Sequence, residues 1–154
     1  MAEPLICHGD AAIIRPVNGA IIGIGTDIVQ ISRMRKAIAR WADRLALRIL
    51  SAEEWAYCRT RRDAAPHVAA RFAAKEAGMK ALGLGWAGAS WTDLEVVRAP
   101  SGQPSLQLTG RAARRMAELG GDAVFVSLTH DGDYAAAHVV VGRAVDARLA
   151  GGAA

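Results

Sequence analysis

The sequence predicts an α+β domain built around an antiparallel sheet. Three observations carry this. Apolar residues alternate with period two near both ends of the chain, in 20–31 and again in 123–141. Between them lie segments of helical period, and none alternates with a strand in the regular way that a parallel sheet needs. The last two strand segments are joined by HDGD at 130–133, a hairpin signal. With 154 residues, 52% hydrophobic and 22% charged, the chain fits one domain with a real core.

Taken in order, residues 1–19 mix Pro, Gly, His and charge without a period and read as an extension. From Ala20, IIGIGTDIVQI alternates Ile22, Ile24, Thr26 and Ile28 against Gly23, Gly25 and Asp27. This is a strand whose glycine side lies close to another element. Over 32–47 the period becomes helical, with Met34, Ile38, Trp41 and Leu45 on one stripe. Arg33, Lys36, Arg40 and Arg44 form a second, rotated by roughly 120°. Ser51, followed by Glu53 and Glu54, caps a second helix. Pro66 precedes a third, HVAARFAAKEAGMKAL, closed by the glycines of LGLGWAG. Strands follow at 93–99 and 105–108, joined by PSGQP. Thr109 caps a helix, and strands at 123–129 and 134–141 complete the order β-α-α-α-β-β-α-β-β. The domain spans 20–142, and 143–154 is a short Ala/Gly-rich tail.

The 19 basic and 15 acidic residues leave a net charge of +4, and its location matters more than its size. Residues 33–48 carry Arg33, Arg35, Lys36, Arg40, Arg44 and Arg48 against the single acid Asp43. Such a field favours an acidic protein or a polyphosphate. A non-catalytic basic module that binds an acidic partner or nucleic acid is the alternative reading. Two Tyr and two Phe offer few stacking platforms for a single strand, so no nucleic acid is expected. Cys7 and Cys58 lack metal-ligand spacing and read as free thiols of a reducing compartment. The first residues hold no Lys or Arg, unlike a signal peptide. The longest apolar stretch, 17–25, is too short to cross a membrane. The expected setting is cytoplasmic and soluble, with no membrane association.

Two acids sit poorly in their surroundings. Glu76 shares a helical face with Phe72 and Met79, where a carboxylate needs a cation. It is either half of an ion pair with an arginine or a metal ligand. Asp27 lies in a strand, where Asp is disfavoured, and either ends the strand in a turn or is a second ligand. Two carboxylates completed by water and substrate oxygens make a common Mg²⁺ site. His130, at a strand end, is either a solvated turn residue or a phosphate donor. Lys75 and Lys80 read as solvent-facing lysines. The lone GIG at 23–25 lacks the third glycine and the following helix of a dinucleotide site.

Five blocks, GIGTDIVQISRM at 23–34, RILSAEEW at 48–55, RFAAKEAGMKALG at 71–83, GQPSLQLTGRA at 102–112 and SLTHDGDYAAAHVVV at 127–141, together resemble the AcpS-type 4′-phosphopantetheinyl transferases, the holo-[acyl-carrier-protein] synthases. The resemblance covers roughly 21–141. It implies that family's fold and the transfer of 4′-phosphopantetheine from coenzyme A to a serine of an apo acyl carrier protein, releasing adenosine 3′,5′-bisphosphate. It implies Mg²⁺ as cofactor, with Asp27 and Glu76 as its ligands, and a catalytic set of Glu76, Asp27 and His130. Lys80, Lys75, Arg71 and His130 match positions on the coenzyme A side. Arg33, with Lys36 and Arg40, is expected to meet the acidic helix of the carrier. A homotrimer is implied, with coenzyme A in clefts between subunits. Three features depart from the pattern: Gln30 replaces a common Glu, Gly78 replaces a larger apolar residue and loosens its helix, and the N-terminal extension is added.

Overall fold

The structure, a computed structural model, describes residues 19–41, 43–85 and 88–144. The expected extension, apart from Gly19, and nearly all of the expected tail lie outside these residues, as does Cys7. The elements are β1 (Gly19–Gln30), α1 (Ile31–Trp41), α2 (Asp43–Ile49), α3 (Ala52–Arg59), α4 (Ala64–Ala81), β2 (Leu94–Arg98), β3 (Pro104–Leu108), α5 (Gly110–Glu118), β4 (Ala123–Asp131) and β5 (Tyr134–Ala144). A short 3-10 turn, Trp91–Asp93, leads into β2. Strands β1, β5 and β4 form one antiparallel sheet in that order, and β2 and β3 form a separate antiparallel hairpin.

The expected α+β class with antiparallel pairing is what the chain adopts, and in the segment where a helix was expected over 32–47 the described stretches 31–41 and 43–49 are helical. Trp41, assigned to the apolar stripe, is 49% exposed instead of buried. Asp43 is the first described residue of α2. Its Oδ1 accepts a hydrogen bond from the indole Nε1 of Trp55 at 3.0 Å. The expected cap of α3 is present as a full capping box between Ser51 and Glu54. At α5, Thr109 holds the cap position without a side-chain bond. Asp93 serves instead, its carboxylate accepting from the Arg111 N–H at 3.1 Å and its carbonyl from Thr109 N–H at 2.8 Å.

Helix α4 lies across one face of the three-stranded sheet and buries Ala73, Ala77 and Ala81 against Ala137, Val139 and Val141. Small residues on α4 bring the backbones close, and the glycines of β1 complete the approach. A Cβ on Gly23 would lie 1.9 Å from the Ala81 carbonyl oxygen, and one on Gly25 would lie 1.8 Å from that of Ala77. Two strand residues advance about 6.7 Å and four helix residues about 6 Å, so these contacts stay in step. The glycine side of the strand was legible in the sequence, and this is what it meets. Gly78 is likewise filled, not loose: Leu94 Cδ2 lies 2.5 Å from where its Cβ would be. The expected slackening of α4 there is therefore corrected by Leu94 and Leu106.

One charged pair lies inside the core. Lys75 Nζ is 2.7 Å from Glu54 Oε2, and both side chains are almost fully enclosed. The ammonium also donates to the carbonyls of Trp91 and Leu94. Glu54 accepts in turn from the backbone N–H groups of Ser51 and Val96. Every polar atom of the pair is thus engaged, which is what a buried ion pair needs to be tolerated. Burial pulls the Lys75 pKa down, against the opposing pull of Glu54. The pair ties α3 and β2 to α4.

Candidate active site

Asp27 follows Gly25 by two residues and so points to the same side of β1, toward α4. Glu76 and Lys80 lie one turn apart on α4, with Phe72 a turn before. These four line a cavity of about 550 Å³ with Arg33 and Met34 of α1 and with Leu45 and Ile49 of α2. The strand end, α4 and the basic α1 thus bring Asp27, Glu76, Lys80 and Arg33 to one place. The start of α1 is fixed there by the β4–β5 turn. Ser32 donates from its N–H and its Oγ to the two carboxylate oxygens of Asp133, each at 2.7 Å. These hydrogen bonds hold the Asp133 carboxyl below the usual carboxylate range.

Within the cavity Lys80 Nζ sits 2.7 Å from Asp27 Oδ1 and 3.0 Å from the Thr26 carbonyl oxygen. Burial pushes the Glu76 carboxyl up, the negative charge of Asp27 pushes it further, and Lys80 opposes both. Both carboxylates line the same cavity. Among the described residues no group of three or more His, Cys, Asp and Glu gathers at one point. A pair of carboxylates beside open volume does not suit zinc, which needs three or four protein ligands. It suits Mg²⁺, which keeps water and substrate phosphates in its remaining positions.

A second cavity, of about 240 Å³, is lined by Tyr57, His67, Arg71, Arg98, Thr129 and His130 among others, and by no carboxylate. The guanidinium carbons of Arg61 and Arg71 stand 4.1 and 4.2 Å from the Tyr57 ring centre, and Arg98 donates to the Tyr57 hydroxyl. Arg71 is buried, yet its Nε has no partner, the mark of a donor that awaits an acceptor. His67 and His130 meet edge to face at 5.8 Å. Burial lowers the His67 pKa, and the positive charges of His130, Arg71 and Arg61 lower it further. A cavity so lined by cationic groups carries a field that favours an anion.

The two cavities share no residue. Phe72, Glu76 and Lys80 form one stripe of α4, while His67, Ala70 and Arg71 lie on the opposite side of the helix at 100° per residue. His130 is therefore not brought to the acid pair within one chain. Lys75, expected on the coenzyme A side and as solvent-facing, is neither: all three of its donors are spent inside the core on Glu54, Trp91 and Leu94. Lys36 and Arg40 are exposed on α1 outside the first cavity, with the Arg40 guanidinium 5.0 Å from the Trp41 ring centre. Tyr57, His67 and Arg98 were missed by sequence reasoning. His67 stood four residues before Arg71 on one helix, a spacing that places both on one face. Arg98 gave no sign in its strand.

The 4′-phosphopantetheinyl transferase superfamily model matches residues 23–139. The holo-[acyl-carrier-protein] synthase of Desulforudis audaxviator is 47% identical over 120 residues, covering 78% of this chain and 92% of that one. That of Koribacter versatilis is 43% identical, covering 79% and 98%. The crystal structure of holo-[acyl-carrier-protein] synthase from Neisseria meningitidis superposes with a TM-score of 0.72 at 32% identity, covering 79% of this chain and 98% of that one. The Helicobacter pylori enzyme in complex with coenzyme A superposes with a TM-score of 0.68 at 32% identity, covering 77% and 98%. Sequence, fold and an acid pair beneath a basic helix agree, and the chain belongs to the AcpS-type holo-[acyl-carrier-protein] synthases of the 4′-phosphopantetheinyl transferase superfamily.

Proposed function

We propose that this chain transfers 4′-phosphopantetheine from coenzyme A to a serine hydroxyl of an apo acyl carrier protein, with Mg²⁺ held by Asp27 and Glu76. The observation that carries the reading is the meeting of Asp27, Glu76 and Lys80 in one cavity that Arg33 of α1 also lines. The structure solved with coenzyme A in Helicobacter pylori supports coenzyme A as the donor. When bound, the cation would neutralise and orient the diphosphate.

The serine oxygen attacks the β-phosphorus, a new P–O bond forms, and the bond from that phosphorus to the bridging oxygen breaks. Adenosine 3′,5′-bisphosphate leaves with that oxygen. Glu76, or a water held beside it, is the group we assign to take the serine proton. Lys80 supplies a positive charge to the diphosphate. On α1, Arg33, Lys36 and Arg40 face the acidic carrier, where complementary charge speeds docking and fixes orientation.

The second cavity suits a further phosphate of coenzyme A, through Arg71 and His130. Because it lies across α4 from the acid pair, one coenzyme A is best served by two chains, and a homotrimer supplies them. The outer face of the sheet supports such an assembly. By register, Ile24, Val140 and Phe125 form one row there and Thr26, His138 and Ser127 the next. Ile24 and Phe125 are 64% and 60% exposed, an apolar surface that a neighbouring copy would cover. No helix among the described residues is long and apolar enough to cross a membrane, and we assign the enzyme to the cytoplasm.

The test is a panel of apo carriers incubated with protein, coenzyme A and Mg²⁺, then weighed by mass spectrometry. The expected result is a gain of one phosphopantetheine on a serine. No gain on any carrier, with folded protein present, would count against the reading.

A further inference from the structure

We infer that Lys80 is an internal counter-cation that holds Asp27 until a diphosphate draws it away, and that it thereby couples divalent-cation binding to coenzyme A binding. This deepens the metal reading given above and rests on it.

Lys80 follows Glu76 by four residues, a spacing at which an ion pair along the helix is usual. Its ammonium crosses to β1 instead, onto Asp27 Oδ1 and the Thr26 carbonyl. The Asp27 side chain is 17% exposed and the Lys80 side chain 51%, so the carboxylate is the more enclosed partner and the ammonium the one with room to move. Two of the three ammonium donors are used where it now sits. A divalent cation arriving at Asp27 meets a positive charge already bonded to an oxygen it needs. Like charges at such separations repel strongly in a half-buried setting.

A diphosphate relieves this conflict. Its oxygens accept from the ammonium in place of Asp27, and the freed carboxylate turns wholly to the cation. Each ligand then favours the other through one side chain, and by linkage the effect is the same in both directions. Arg33 lines the cavity as well, but the cation paired with Asp27 is Lys80, and the exchange therefore runs through Lys80.

The experiment titrates Mn²⁺ alone into the full-length protein, with free Mn²⁺ read by electron paramagnetic resonance, in wild type, Lys80→Met, Lys80→Arg and Asp27→Asn, without and with coenzyme A. Without coenzyme A, Lys80→Met should bind Mn²⁺ about fivefold more tightly than wild type, while Lys80→Arg stays close to wild type. Coenzyme A should tighten Mn²⁺ binding less in Lys80→Met than in wild type, by a similar factor. Equal or weaker Mn²⁺ binding in Lys80→Met, with binding lost in Asp27→Asn, overturns the role of Lys80 and leaves the acid pair standing. Wild-type Mn²⁺ binding in Asp27→Asn overturns the acid-pair site and this inference together.

Discussion

Gly25 faces the Ala77 carbonyl oxygen across a gap that leaves no room for a side chain: a Cβ there would stand 1.8 Å from that oxygen. This contact sets how close β1 comes to α4, and hence how close Asp27 comes to Glu76. The obstacle is backbone, which cannot rotate away as a side-chain tip can.

Gly25→Ala should therefore destabilise the protein by about 2–3 kcal/mol, the range for forced overpacking of a rigid contact. It should also lower divalent-cation affinity by moving the two carboxylates apart. Urea unfolding and Mn²⁺ titration check both. An unchanged unfolding midpoint would mean that β1 does not press on α4 as described.

Lys75→Met strands the Glu54 carboxylate in the core and should cost about 3–5 kcal/mol. The double variant Glu54→Leu, Lys75→Met removes both charges and should recover part of that loss. Denaturant unfolding of the singles and the double measures the coupling. Additive losses would contradict a buried pair.

His67 should titrate below 6.5, the ordinary histidine value, because burial and nearby positive charge disfavour its protonation. The sign for stability follows: as pH falls through 6.5 the unfolded chain takes the proton first, so the folded state loses stability until the lower native value is passed. An anion in the second cavity should raise that value. Titration of the imidazole by NMR, with and without adenosine 3′,5′-bisphosphate, reads the shift. No upward movement on saturation would remove the second cavity from the nucleotide site.

Phe125→Asp places a charge on the outer sheet face, far from the acid pair, where a neighbouring copy is proposed to pack. The variant should sediment as a monomer and lose carrier modification while keeping its helical spectrum. A monomeric wild type with full activity would contradict a site shared between chains.

Much of this was legible before the structure. The alternation of Gly23 and Gly25 against isoleucines announced a strand with a crowded side, and Asp27 and Glu76 stood out because each is costly where it lies. Hydrophobic period fixes a face, and 31–41 and 43–49 are helical as read, although Trp41 on that face stays half in solvent. Lys75 was misread because α4 is enclosed on most of its circumference, and a lysine there looks solvated until its partner, 21 residues upstream, is seen to be Glu54. The ring of Arg61, Arg71 and Arg98 around Tyr57 draws on α4, β2 and the segment after α3. No local pattern reports a cluster gathered only by folding.

The account depends most on the two carboxylates acting on one donor. Carrier modification followed by mass spectrometry, in wild type, Asp27→Asn and Glu76→Gln, tests this directly. Wild type should load its carrier fully, and each variant should be slowed by roughly a hundredfold or more while remaining folded. Turnover close to wild type in either variant would contradict it.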